Sequence, residues 1–235
     1  MTLATDGFRS RRPSTGQRIV RYSVLPDRLL DTATPTIFFA RVAEILTGQT
    51  ILEALRDRVL DPLGLQSTWY APDEPNAGVA IGGLFVRGGV TDSIAGLPMT
   101  ALLSHVGPSG GPVSNTADLA TFGLCVLRDH EVLGERSAAE PYTIGPGGSG
   151  LGVLGVTDPN RYQRQFRIFS DEDVPVADYV GFGGTGQLPG SSTKLVYLTG
   201  SDTIFVLLLN MSAPPGGSEF FRWLLSRFLE DIPED

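Results

Sequence analysis

Lysine is almost absent from this chain. Of 18 basic residues, 17 are arginine and one, Lys194, is lysine. Arginine stays protonated, so any reaction that uses an amine as a base has a single candidate. Histidine is scarce too, with His105 and His130 alone, and there is one cysteine, Cys125. Two isolated histidines and one cysteine cannot build a closed metal site, and no metal-ligand spacing appears. One cysteine cannot form an intramolecular disulfide, so nothing points to an oxidising compartment. Cys125 lies among Leu119, Phe122, Leu124 and Val126, where a small buried hydrophobe is expected. Positive charge is short: the formal net charge is -8. That excludes a nucleic-acid partner, which needs a basic face, and attraction to anionic lipid. The longest apolar run, Ile204 to Leu209, is too short to span a bilayer, and residues 1–16 carry no apolar signal core. The expected location is therefore cytoplasmic, without a membrane.

Glycine (29) and proline (17) are plentiful, and 41% of the 235 residues are hydrophobic. This composition predicts many turns around a sizeable core. Residues 1–16 read as a loose arm and 17–235 as a single domain. Its helical part spans about 31–140, and its sheet with a terminal helix about 150–230. Gln17 to Leu25 alternates as a strand would. From Asp31 to Thr68 the chain reads as two consecutive helices. Pro35 suits a first turn and Gly48 an end, and Ile37, Phe38, Val42, Ile45 and Leu46 recur at helical spacing. Thr50 and Glu53 form a capping box for the second helix. That helix is expected to bury Ile51, Leu52, Leu55, Val59 and Leu60 before Pro62 stops it. Val79–Val86 and Met99–Val106 are apolar pieces of undecided type. Ser114-Asn115-Thr116 caps a helix over 117–127. Residues 151–156, 163–169, 177–181, 192–199 and 203–210 read as antiparallel strands, and Ser218 opens an apolar last helix. No internal period repeats.

The order helix, Thr47-Gly48, helix, Asp61-Pro62-Leu63-Gly64-Leu65, then Ser67-Thr68 resembles serine β-lactamases of the class C type and their penicillin-binding DD-peptidase and esterase relatives. The segment SGGPVSNTADLATFG (109–123) resembles a second stretch of that family, and YVGFGGTGQLPGSS (179–192) a third. The resemblance covers about residues 28–230. It implies an α+β, β-lactamase/transpeptidase-like fold with an antiparallel sheet, a terminal helix packed on it and a mostly helical region. It also implies N-terminal elements, including the helix that opens with Ser-x-x-Lys, ahead of where this sequence begins.

The resemblance further implies an acyl-transfer site, and each of its positions is altered. The sole Ser-x-x-Lys match, Ser191 to Lys194, lies in a predicted strand, where residues three apart point to opposite faces. At the family's Tyr-x-Asn positions stand Asp31 and Ala33. At the cation position on the active-site strand stands Phe182, followed by Gly183, Gly184 and Thr185. A phenyl ring neither binds a carboxylate nor relays a proton. Residues that act as a unit fail together, so no acyl-enzyme is expected.

Other matches carry less. Gly107-Pro108-Ser109-Gly110-Gly111 fits a nucleophile elbow, and Asp118 and His130 follow in triad order. The spacing leaves no room for the intervening βα units of a hydrolase. Two glycine patterns, 145–150 and 181–186, fit a dinucleotide fingerprint but precede no helix, so no cofactor is expected. The expectation is a catalytically silent protein that binds a small apolar molecule or a protein partner, as a homodimer or in a complex covering the missing N-terminal elements. The alternatives are a non-covalent reaction (cyclisation, isomerisation or elimination) in a cleft lined by Asp31, Phe38 or Phe39 and Phe182, or a residual serine hydrolase.

Overall fold

The computed structural model describes residues 33–71, 73–74, 83–87, 90–94, 99–134, 152–157, 179–212 and 218–230. The first helix, α1, spans Ala33–Thr47. It ends where Gly48 takes a positive φ of 71°, a conformation that costs glycine little. Thr50 then caps α2, Ile51–Leu55, in the expected capping box: its hydroxyl accepts from the Glu53 amide, and the Glu53 carboxylate accepts from the Thr50 amide. The helix continues with wider π-type turns over Arg56–Leu60 and stops before Pro62. Of the residues expected to be buried here, Leu60 is buried; Ile51, Leu52, Leu55 and Val59 are half-buried, and Ala54 joins Leu60 inside.

The chain crosses next into a short strand β1, Trp69–Tyr70, paired antiparallel with β4, Pro112–Val113. Between them lie the hairpin strands β2 (Leu84–Arg87) and β3 (Val90–Ser93) and the helix α3 (Met99–Val106). The two undecided apolar pieces thus resolve differently, one contributing a strand and the other a helix. Asn115 caps α4, Thr116–Phe122, by accepting from the Asp118 amide, and π-type turns extend it over Gly123–Arg128.

The main sheet is antiparallel with order β5-β6-β7-β8: Leu154–Thr157, Tyr179–Leu188, Ser191–Leu198 and Thr203–Leu209. Its final helix, α5, spans Ser218–Glu230. The expected strands at 17–25 and 163–169 lie outside the described residues. Side-chain alternation gives the sheet two faces. On one, Val196, Leu198 and Phe205 pack against Phe221 and Leu225 of α5. On the other, Leu195 packs with Leu127 and Val153, joined by Phe122, Tyr197 and Ile204. Gly123 makes this second contact possible, because a Cβ there would stand 3.0 Å from both Ile204 and Leu195. The result is a helix, sheet, helix sandwich of α+β class, as expected.

The helical half is tied together by hydroxyls and one carboxylate. Thr68 is buried, and its Oγ1 lies 2.7 Å from Ser114 Oγ and donates to Asp118 Oδ2 at 2.8 Å. The same carboxylate oxygen accepts from the Ser67 amide at 2.8 Å. The 61–68 and 109–123 segments singled out in the sequence are therefore joined directly. Arg56 adds a second tie, donating to Glu74 Oε1 from both Nε and Nη2 and to the Thr68 carbonyl.

Helix α1 reverses the usual arrangement. Its small residue Ala40 faces the body of the protein, while Ile37, Phe38, Phe39, Ile45 and Leu46 are exposed, Leu46 to 80%. Phe38 and Ile45, and Phe39 and Leu46, are each seven residues apart, so they share one side of the helix.

Candidate functional site

The site expected from the sequence centres on β6, because Phe182 stands there in place of a cation. Register decides what surrounds it. Phe182 pairs with Tyr197 and Gly184 with Leu195, so both lie on the sheet face that meets α4. Gly183 pairs with Val196 and Thr185 with Lys194, which places them on the α5 face. The structure therefore brings Phe182 and Gly184 together and sets Gly183 and Thr185 on the opposite side. The strand's alternation, visible in the sequence, carries that division.

The two glycines also differ in the room beside them. A Cβ on Gly183 would lie 2.0 Å from the Leu195 carbonyl oxygen, whereas nothing lies within 4 Å of one on Gly184. Gly183 serves the close approach of β6 to β7. Gly184, next to Phe182 on the α4 face, leaves open space beside the strand.

Tyr197 is the polar group on that face that sequence reasoning missed. Its hydroxyl donates to Asp202 Oδ1 at 3.0 Å. Burial first, and then the hydrogen bond and charge of Asp202, push the phenol above its ordinary pKa. A phenol whose pKa is raised in this way is held protonated and makes a poor base.

The remaining expected residues are accounted for one by one. Phe38 lies on the exposed side of α1, edge-on to Phe39 with ring centroids 6.0 Å apart. Asp31, the acid of the non-covalent alternative, lies outside the described residues, as does Ala33's side chain. Ser191 to Lys194 forms part of β7, a strand as predicted. Ser192 Oγ donates to the Met211 carbonyl at 2.6 Å. Lys194 Nζ donates instead to the hydroxyl of Thr185.

The nucleophile-elbow match is a helix end. Gly107–Ser109 forms a 3-10 turn closing α3, and Ser109 Oγ donates to the Val106 carbonyl at 2.8 Å. Asp118 is engaged by Ser67 and Thr68, so it orients no histidine in a triad. Cys125 is half-buried, and burial first, then Glu131, raises its thiol above the usual range; a protonated thiol is a poor nucleophile. Among the described residues no group of three or more His, Cys, Asp or Glu side chains could hold a metal ion. No helix among them is long and apolar enough to cross a membrane.

An antiparallel sheet between α5 and a helical layer defines an α+β protein of the β-lactamase/transpeptidase fold. The Beta-lactamase family model matches residues 33–225, and the chain belongs to that family. Penicillin-binding protein 4 of Amycolatopsis lactamdurans is 28% identical over 222 residues, covering 88% of this chain and 53% of that protein. Solved structures agree on the fold. D-amino acid amidase from Ochrobactrum anthropi SV3 superposes with TM-score 0.63 at 19% identity, over 86% of this chain and 57% of the other. A penicillin binding protein from Bacillus halodurans gives TM-score 0.61 at 20% identity, over 85% and 57%. The chain spans about half the length of the curated relative it matches.

Proposed function

We propose that this chain is a non-acylating member of the family that binds a small apolar molecule beside Phe182 and Gly184. The observation that carries the reading is Phe182 itself. It occupies the position where the resemblance implies a cation, on a strand whose register with β7 is continuous from Gly181 to Leu188. A ring there offers surface and shape and no charge for a carboxylate, so the ligand is held by apolar contact. Tyr197, across the strand, is protonated and committed to Asp202, which supports the same conclusion.

The test combines labelling with ligand detection. A fluorescent penicillin and a fluorophosphonate should both leave the folded chain unlabelled. Native mass spectrometry of freshly purified protein should show a bound small molecule that a Phe182→Asp variant releases. Covalent labelling by either reagent overturns the reading.

A second observation favours a partner as well, and the partner we propose is a second copy of this chain. Phe38, Phe39, Ile45 and Leu46 form one apolar stripe on α1 and present roughly 500 Å², with Ile37 exposed further round the helix. Two such stripes in a two-fold pair reach about 1,000 Å², and a polar rim would bring them to the roughly 1,200 Å² of a specific interface. Sedimentation of a monodisperse monomer at high concentration would remove this part.

A further inference from the structure

The only lysine of the chain sits where a charged group is poorly served. Lys194 is half-buried on the α5 face of β7, between Thr185 of β6 and Leu207 of β8. Its Nζ donates to Thr185 Oγ1 and lies 5.6 Å from the centre of the Phe221 ring. It shares that face with the apolar cluster of Val196, Phe221 and Leu225, against which Leu207 also packs. Every ion pair among the described residues uses an arginine, and none reaches Lys194. On the same face, Ser192 and Gln187 pair across the strands, and each donates to a backbone carbonyl, of Met211 and Ser212. A polar row thus crosses an otherwise apolar face, and among the described residues its one amine has a hydroxyl and a ring for neighbours and no carboxylate.

We propose that Lys194 is a carbonyl-reactive amine, whose Nζ condenses with a small aldehyde or ketone that reaches the α5 face of the sheet. The neutral nitrogen attacks the carbonyl carbon, forming the C–N bond, while the carbonyl oxygen takes up a proton. Thr185 Oγ1 accepts from Nζ and donates to the Thr193 carbonyl at 3.2 Å, so it carries the proton from nitrogen to oxygen by turning its own O–H from that carbonyl to the incoming oxygen. Loss of water then leaves an imine. Amine plus carbonyl gives imine plus water, with no oxidant or reductant consumed. Arginine could not do this, because its guanidinium keeps its proton. Burial lowers the Lys194 pKa and so favours the neutral form. This site is on the opposite face from Phe182 and is independent of the binding proposed there.

A single lysine makes the test direct. The intact chain is incubated with benzaldehyde and sodium cyanoborohydride at neutral pH, and peptide mass spectrometry follows the adducts on Lys194 and on the α-amine. The same reaction is run in denaturant. Relative to the α-amine, native Lys194 should be modified severalfold faster than in the unfolded chain, because burial favours its neutral, nucleophilic form. A native rate equal to or below the unfolded one overturns the proposal. Thr185→Val, checked for native circular dichroism, should slow Lys194 severalfold and leave the α-amine unchanged; an unaltered rate removes Thr185 from the proton path. The native-to-unfolded comparison uses the unaltered chain, so the outcome does not depend on any variant folding.

Discussion

Thr68 Oγ1 and Asp118 Oδ2, 50 residues apart in the chain, are 2.8 Å apart in space. Asp118 also takes the Ser67 amide, and Thr68 also meets Ser114, so one carboxylate closes the loop between α2 and α4. Removing it takes the charged partner from the buried Thr68 hydroxyl, which keeps Ser114, and leaves the exposed Ser67 amide to water. Asp118→Ala should therefore lose about 1–3 kcal/mol, the cost of a hydrogen bond to a charged group at one buried site. Urea unfolding reads this directly, and an unchanged midpoint would show that water replaces the carboxylate at no cost.

The neighbouring glycines of β6 should behave oppositely. Gly183→Ala drives a methyl into the Leu195 carbonyl, 2.0 Å away, and β6 can respond only by leaving β7. Overpacking of this kind costs about 1–3 kcal/mol or more. Gly184→Ala meets open space and should leave the melting temperature within a few degrees, while weakening any ligand that approaches the strand there. Equal effects of the two substitutions on melting would refute this assignment of faces.

The capping box of α2 predicts an acid-sensitive contribution. The Thr50 amide, and then its hydroxyl, hold the Glu53 carboxyl below its usual pKa. A group whose pKa is depressed on folding stabilises above its unfolded pKa, and that contribution is lost as pH falls through the folded one. Stability should thus decline as pH drops from about 5 toward 3, and Glu53→Gln should flatten part of that decline. Parallel pH profiles for the two proteins would count against the box. Glu44, lowered by Arg41 and then by the Ile51 amide, acts in the same window and is the control to substitute alongside it.

Charge placed on α1 should separate the proposed pair. Phe39 and Leu46 are exposed and seven residues apart, so Phe39→Asp with Leu46→Asp adds four carboxylates to a two-fold interface. The expected result is a monomer in sedimentation with unchanged far-UV circular dichroism. A variant that still sediments as a dimer places the interface elsewhere.

Much of this was legible residue by residue. The Thr50-Glu53 box, the Gly48 stop, the Asn115 cap and the strand through Ser191 to Lys194 were all readable, because each depends on groups within a few positions of one another. That Phe182 stands at the position where the resemblance implies a cation rests on residue identity alone, and the structure adds only its register with Tyr197. What alternation implied for Thr185, on the far face from Phe182, was also in the pattern and was not drawn from it. The wider turns at 56–60 and 123–128 left no mark in the sequence. The second of them sits where Gly123 lets Ile204 and Leu195 in, a contact made across the fold.

By itself, the sequence determined which elements form and which reactive groups they carry, since capping, strand period and side-chain chemistry are local properties. Tertiary structure alone decided which side of each element is covered. The period of α1 marks one apolar side and cannot say that Ala40 would turn inward and Phe39 outward. Nor could any spacing place Lys194 beside Thr185 and Phe221. Burial is set by whatever packs from elsewhere in the chain, and burial governs both the surface left open on α1 and the proton on that amine.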